Sequence, residues 1–224
     1  MLTIESLQFL EDLKQNNNTE WFHAQKKRYE NYKTDYKNLI ASLLEKMKMM
    51  DPALTPLEVK NCTFRINRDI RFSKDKSPYK TNLGIWMPIQ TFTKNAPGYY
   101  IHYEKGNSFI AGGLYCPEPE ELKKIRTEVA YFYEDLKEII SDKSFQNSYG
   151  DLDRNESNSL KKAPKDFDPN HEAIAYLKLK SFTASCKIED TAFLQPDFCE
   201  LATKKLLPLK PLNAYLQRAL APLD

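Results

Sequence analysis

Glycine is scarce in this chain, with six in 224 residues. None falls into G-x-G-x-x-G or G-x-x-x-x-G-K-[ST]. Those patterns build backbone cradles for nucleotide phosphates, so nucleotide hydrolysis by those routes is excluded. Cysteine is sparse too. Cys62, Cys116, Cys186 and Cys199 form no C-x-x-C pair and match no zinc-module spacing, so they read as buried free thiols. His171-Glu172 opens like H-E-x-x-H, but residue 175 is alanine; neither a metal nor a cofactor is expected. Long apolar runs are missing. No stretch approaches the ~20 residues of a membrane span. The first twenty residues carry Glu5, Glu11, Asp12 and Lys14 in place of a signal-peptide core. A soluble, cytoplasmic protein with no membrane partner is the expectation. An excess of one charge is lacking as well. With 33 basic and 31 acidic residues the net charge is +2, which argues against a general coat for nucleic acid or lipid and makes any such binding local.

What is present is an ordinary globular composition, 41% hydrophobic and 12% aromatic, ample for a core. A single domain over residues 1–224 is expected. Helical periodicity opens the chain. Ile4, Leu7, Leu10 and Leu13 form a stripe behind Thr3 as a cap. The Asn16-Asn17-Asn18-Thr19 cluster then breaks the chain and caps a longer helix with Phe22, Tyr29, Tyr32, Tyr36, Leu39, Leu43 and Met47 toward the core. Asp51-Pro52 and Pro56 end it.

Residues 62–72 change period to two. Cys62, Phe64, Ile66, Ile70 and Phe72 take one face, and Thr63, Arg65, Asn67, Asp69 and Arg71 the other, which predicts a half-buried strand. Arg68 sits on the apolar face. Leu83, Ile85, Met87 and Ile89 alternate again as a second, antiparallel strand. Segments 98–104 and 107–116 flank Lys105-Gly106 as a hairpin, with Tyr99, Ile101, Tyr103, Ile110 and Leu114 on one face and Tyr100, His102, Phe109 and Tyr115 on the other. Gly112-Gly113 indicates a bulge or a close backbone approach. Pro117-Glu118-Pro119-Glu120 starts a helix carrying Leu122, Ile125, Val129, Phe132, Leu136 and Ile139. A polar loop is expected near 141–159, then a short helix near 170–178, a strand near 179–187 and two helices separated by Pro208 and Pro211. The sum is an α+β fold: an antiparallel sheet of about five strands packed by N-terminal, central and C-terminal helices.

The densest chemistry lies between 64 and 81. Arg65, Arg68, Arg71, Lys74, Lys76 and Lys80 stand there against Asp69 and Asp75. The run Arg68-Asp69-Ile70-Arg71-Phe72-Ser73-Lys74-Asp75-Lys76-Ser77-Pro78-Tyr79-Lys80-Thr81 resembles the signature of a widespread bacterial and fungal family of conserved hypothetical proteins, a domain of unknown function. Three more segments share the resemblance: Asn17 to Phe22 with Tyr29 downstream, Gly112 to Leu122, and Leu160 to Phe182. Asp166 and Glu172 depart from the usual glycine and proline, which touches local turn geometry rather than membership. The resemblance spans nearly the whole chain and implies one full-length domain, with no activity, cofactor or catalytic residue attached.

Guanidinium forks match phosphate and carboxylate oxygens. The basic segment therefore has two readings. Its cations either pair with Asp69, Asp75 and helix acids, or bind a phosphate-bearing ligand or nucleic-acid backbone through Arg65, Arg68, Arg71, Lys74, Lys76 and Lys80 with Tyr79 beside them. For Arg68 the internal partner would be a helix acid such as Glu20 or Glu30. Tyr79, Tyr99, Tyr100, Tyr103 and Tyr115 are candidates to stack on bases or sugars. An enzyme would draw on His102 with Asp69 or Asp75 for proton transfer. A module for an acidic protein partner would use the same basic surface. Nothing in the sequence sets the oligomeric state.

Overall fold

The computed structural model describes residues 1–89 and 95–221. In chain order the helices and strands are α1 (Ile4–Gln15), α2 (Thr19–Ala24), α3 (Lys26–Met50), β1 (Leu83–Pro88), β2 (Gly98–Tyr103), β3 (Phe109–Leu114), α4 (Pro119–Tyr131), α5 (Tyr133–Ser141), α6 (Lys143–Tyr149), α7 (Ile174–Leu177), β4 (Phe182–Lys187), α8 (Phe198–Leu206) and α9 (Lys210–Leu220), with single 3₁₀ turns between some of them. The fold is α+β, with one antiparallel sheet in the order β1-β2-β3-β4. None of the described helices is long and apolar enough to cross a membrane. The described chain divides into two compact units. One comprises residues 1–87, 100–110 and 187–204; the other comprises 88–99, 111–186 and 205 onward.

In the first unit, Thr3 caps α1 by accepting from the Ser6 N–H. The Thr3 and Ser6 hydroxyls both donate to Asp35 of α3 at 2.7 Å. That cap therefore also locks α1 onto α3, with Leu7, Phe9, Leu10 and Leu13 buried at the seam. Ile4, expected in the stripe, is 68% exposed, and Phe9 is buried instead. Asn18 caps α2 by accepting from the Trp21 N–H at 2.9 Å. The long helix expected from Thr19 is broken at Gln25, which leaves helical geometry at φ −98° and ψ 18°. Tyr32, Tyr36, Leu39, Ile40, Leu43, Leu44 and Met47 form the buried stripe of α3.

The hairpin faces follow the sequence alternation. Tyr99, Ile101, Tyr103, Ile110 and Leu114 are buried, and Tyr100, His102 and Phe109 stand half-buried on the other face. Its turn spans 104–108 rather than two residues, because Asp190 holds the Gly106 N–H at 2.7 Å and the Ser108 hydroxyl at 2.6 Å.

The expected strand at 62–72 does not form, so the sheet has four strands rather than about five. Only single antiparallel bridges occur there, Thr63 with Ile85 and Asn67 with Tyr79. The pairing extends only to the Arg68 N–H on the Pro78 carbonyl and the Lys80 N–H on the Ile66 carbonyl. Pro78 has no N–H to give. Tyr79 presents its N–H and C=O to the side-chain amide of Asn17, at 3.0 and 2.9 Å, where a further strand would have to pair.

In the second unit, Glu118 and Glu121 form a capping box at the start of α4. The apolar stripe bends at Phe132, which is exposed, between α4 and α5. Where a polar loop is expected at 141–159, residues 143–149 form α6. Asp142 accepts from the Ser144 and Phe145 N–H groups, and Phe145 supplies a fully buried anchor. A capping acid and one aromatic suffice against a run of polar residues. Gly113 has φ +107°, and a Cβ there would lie 2.1 Å from the Phe182 carbonyl oxygen, the close backbone approach that the paired glycines indicate.

Candidate functional site

A cleft of about 730 Å³ opens within the first unit, between α3, the irregular segments 63–69 and 80–82, and the start of β1 at Gly84. Helix α3 contributes Tyr29, Tyr32, Lys33, Tyr36 and Lys37. The bridged segments contribute Phe64, Arg65, Arg68, Asp69, Lys80 and Asn82, and β2 contributes Tyr100. Five cations thus line the cleft against the single carboxylate of Asp69.

The backbone of this wall is fixed from α3. The buried Tyr36 hydroxyl donates to the Gly84 carbonyl at 2.5 Å and accepts from the Phe64 N–H at 3.1 Å. A Cβ on Gly84 would meet the Tyr100 hydroxyl at 2.8 Å and the Phe64 ring at 3.2 Å. Glycine is thus what lets these two side chains close over the strand.

The cations differ in how they are compensated. Arg71 binds Asp69 through two bonds of 2.9 and 2.6 Å and does not line the cleft. Arg68 pairs with Asp75 and donates to the Ser77 carbonyl at 3.1 Å. Its partner is thus a loop acid, not Glu20 or Glu30; Glu30 lies beside Lys33 at 3.4 Å. Because the segment bends out of strand geometry, Arg68 faces the cleft and not an apolar core. Lys76 donates to the Ile70 carbonyl at 2.9 Å, and Lys74 is exposed away from the cleft. Arg65, Lys37 and Lys80 make no ion pair within 4 Å with a carboxylate among the described residues, although the charge of Arg65 still acts on Asp69 at longer range. Lys80 instead places its ammonium 5.1 Å from the centre of the Phe64 ring. Burial, and then the charge of Arg65, pull the Lys80 amine below the usual lysine range.

Asp69 and Asp75 are committed acids. Arg71 holds the Asp69 carboxyl well below its ordinary value. Ser77, through its hydroxyl and its N–H, and then Arg68 hold Asp75 at about 2. His102 does not line the cleft. Its Nδ1 lies 2.9 Å from the Tyr100 hydroxyl and 3.4 Å from the Asn82 amide, and its Nε2 is 3.8 Å from Glu104. Burial lowers its pKa, with Glu104 acting in the opposite direction. Burial also pushes the Tyr100 phenol up to about 12, and its contact with His102 Nδ1 holds it at the cleft wall.

Among the tyrosines singled out for stacking, Tyr79 is buried against Phe22, with ring centres 4.0 Å apart. Tyr99 and Tyr103 are core residues and Tyr115 is exposed elsewhere; only Tyr100 reaches the cleft. The helix cations Lys33 and Lys37 and the aromatic Phe64 were not expected there. A signal for the lysines exists in the sequence. Tyr32-Lys33 and Tyr36-Lys37 repeat one helical turn apart, so each lysine flanks the buried stripe.

Since Asp75 is largely solvated and Arg68 only partly buried, their pair is worth little to the fold. Arg68→Met should shift the melting temperature by no more than about 2 °C. A loss several times larger would mean that Arg68 is a structural anchor.

No group of three or more His, Cys, Asp or Glu side chains among the described residues could hold a metal ion. Residues 5–215 match the family described as "Conserved hypothetical protein (DUF2461)", and the chain belongs to that family. No curated protein and no solved structure matches it.

Proposed function

We propose that this protein binds a phosphate-bearing ligand in the cleft beside α3, with Arg65 and Lys80 as its principal anion contacts and Lys37 and Arg68 beside them. The observation that carries this reading is the pairing state of the cations. Arg65 and Lys80 share a concave surface, repel each other, and make no ion pair within 4 Å with a carboxylate among the described residues; Arg65 acts only at longer range on Asp69, whose two oxygens are bound by Arg71. An anion that enters relieves that repulsion as it gains charge-assisted hydrogen bonds. With no glycine-rich loop at the cleft, recognition falls to side chains, and the flat Arg65 guanidinium suits two phosphate oxygens at once.

Proton transfer has weaker support. Asp69 and Asp75 are both tied to arginines as anions, and His102 is engaged with Tyr100 outside the lining. A docking surface for an acidic protein would also use cations, but Arg65, Lys80, Lys37 and Arg68 line a cleft rather than a broad face.

Calorimetric titration with pyrophosphate tests the reading. Binding should be measurable at about 0.01 M salt and weaken as salt rises to about 0.1 M, where the Debye length falls from about 30 to 10 Å. Absence of binding at the lower salt overturns it.

A further inference from the structure

The cleft is as aromatic as it is basic. Besides the cations, its walls carry Tyr29, Tyr32, Tyr36, Phe64 and Tyr100. Most of these are spoken for. Tyr32 and Tyr36 are buried and stacked nearly parallel on each other, 6.0 Å apart, and the hydroxyls of Tyr36 and Tyr100 have partners within the wall. Phe64 differs. It remains 45% exposed, its main-chain N–H is pinned by Tyr36, and Tyr100 supports it edge-on at 84°. A half-open aromatic ring therefore stands beside the Lys80 ammonium, in a cleft that Arg65 also lines.

The polar groups of the lining are as informative. A sugar is recognised through acceptors for its hydroxyls, and the carboxylate, threonine and amide side chains of this lining are already engaged. Both oxygens of Asp69 are taken by Arg71. The Thr63 hydroxyl donates to the Lys60 carbonyl at 3.0 Å. Asn82 is left as the lining's side-chain amide, and it lies against His102. A nucleobase asks for less, since every base presents a π face that an aromatic ring accepts irrespective of its edge. A cation next to an open aromatic ring is the arrangement that receives a phosphate and a base joined by one sugar. The volume also suits a ligand of that size.

We propose that the ligand is a nucleoside phosphate, with its base stacked on Phe64 and its phosphate held by Arg65 and Lys80. This rests on the reading that the cleft takes a phosphate-bearing ligand, and it adds the ligand's class. Lys80 stands next to both parts of such a ligand, its ammonium 5.1 Å from the centre of the Phe64 ring. Lys33 and Lys37, one turn apart on α3, add positive charge to the same cleft.

Titration of the full-length protein with AMP, UMP, ribose 5-phosphate and adenosine, with wild type, Phe64→Ala and Phe64→Leu, tests this. The nucleotides should bind more tightly than ribose 5-phosphate. Phe64→Ala should weaken them by about 5- to 150-fold, the span measured for one stacked base, and leave ribose 5-phosphate unchanged. Phe64→Leu keeps the apolar bulk without the π face, so it should show the same loss with the fold intact. Equal affinity for AMP and ribose 5-phosphate in the wild type, or nucleotide affinity unchanged by Phe64→Leu, overturns the nucleoside reading and leaves phosphate binding standing. Failure of all the phosphate esters to bind overturns both. A thymidine oligonucleotide that binds far more tightly than UMP overturns the single-nucleotide reading in favour of a strand.

Discussion

Replacing Arg65 by Gln and Lys80 by Met together should weaken pyrophosphate binding at least about 100-fold while leaving the melting temperature within about 2 °C of wild type. The two effects are expected together because of how these cations sit. A hydrogen bond to a charged group contributes about 1.5–3 kcal/mol, so the loss of two such donors exceeds two decades of affinity. The fold loses little, since Arg65 makes no close ion pair among the described residues, its pull on Asp69 is long-range, and Lys80 pushes against it. Methionine at position 80 retains most of the stem that packs by Phe64. A protein that loses several degrees of stability with this pair would show that the cations hold the structure together. A protein that keeps both its stability and its affinity would show that the anion binds elsewhere.

The second large effect concerns the fold alone. Gly113→Ala should destabilise the protein by about 3–5 kcal/mol in urea unfolding. Gly113 lies at φ +107°, and the added methyl would fall 2.1 Å from the Phe182 carbonyl oxygen and 3.0 Å from the Thr183 Cα. These are backbone atoms of β4, and a flexible side chain is not available to yield. The Gly113 N–H also donates to the buried Asn213 side chain at 3.0 Å, so any shift that relieves the clash lengthens a buried hydrogen bond. Gly106→Ala is the control. Gly106 has φ +78° with nothing within 4 Å of the added carbon, so it should cost only the conformational strain, about 1 kcal/mol. Equal losses at the two positions would show that backbone conformation, not the contact with β4, governs Gly113.

Where local patterns and tertiary contacts agree, the fold was legible in the sequence. The Thr3 cap, the buried stripe of α3, the alternating faces of β2 and β3 and the tight approach at Gly113 all follow from periodicity and residue type. The segment 62–72 shows the limit. Its alternation is as regular as that of β2, but strand pairing needs a partner with free N–H groups. Pro78 has none to give the Arg68 carbonyl, so the pairing ends at the Arg68-to-Pro78 and Lys80-to-Ile66 backbone bonds. Face assignments built on a strand failed with it: Phe72, placed on the buried face, is 94% exposed, and Arg68 turns to the cleft. Helix α6 was hidden for the opposite reason, since one cap and one buried phenylalanine leave no repeating signal.

The site was half legible. Charge density pointed to the right segment, and of its cations Arg65, Arg68 and Lys80 converge on the cleft. Arg71, Lys74 and Lys76 do not, because pairing with Asp69, exposure and a bond to Ile70 place them elsewhere. Sequence distance concealed the remainder. Lys33 and Lys37 lie some thirty residues before Arg65, and only the packing of α3 against the bridged segments brings them to the same wall.

The most direct test of the central claim is a crystal structure of the protein with AMP. Its phosphate should lie within hydrogen-bond distance of Arg65 and Lys80, with the base against the Phe64 ring. Arg65 and Lys80 each paired with a protein carboxylate, and the nucleotide absent from the cleft or bound on another surface, would contradict it.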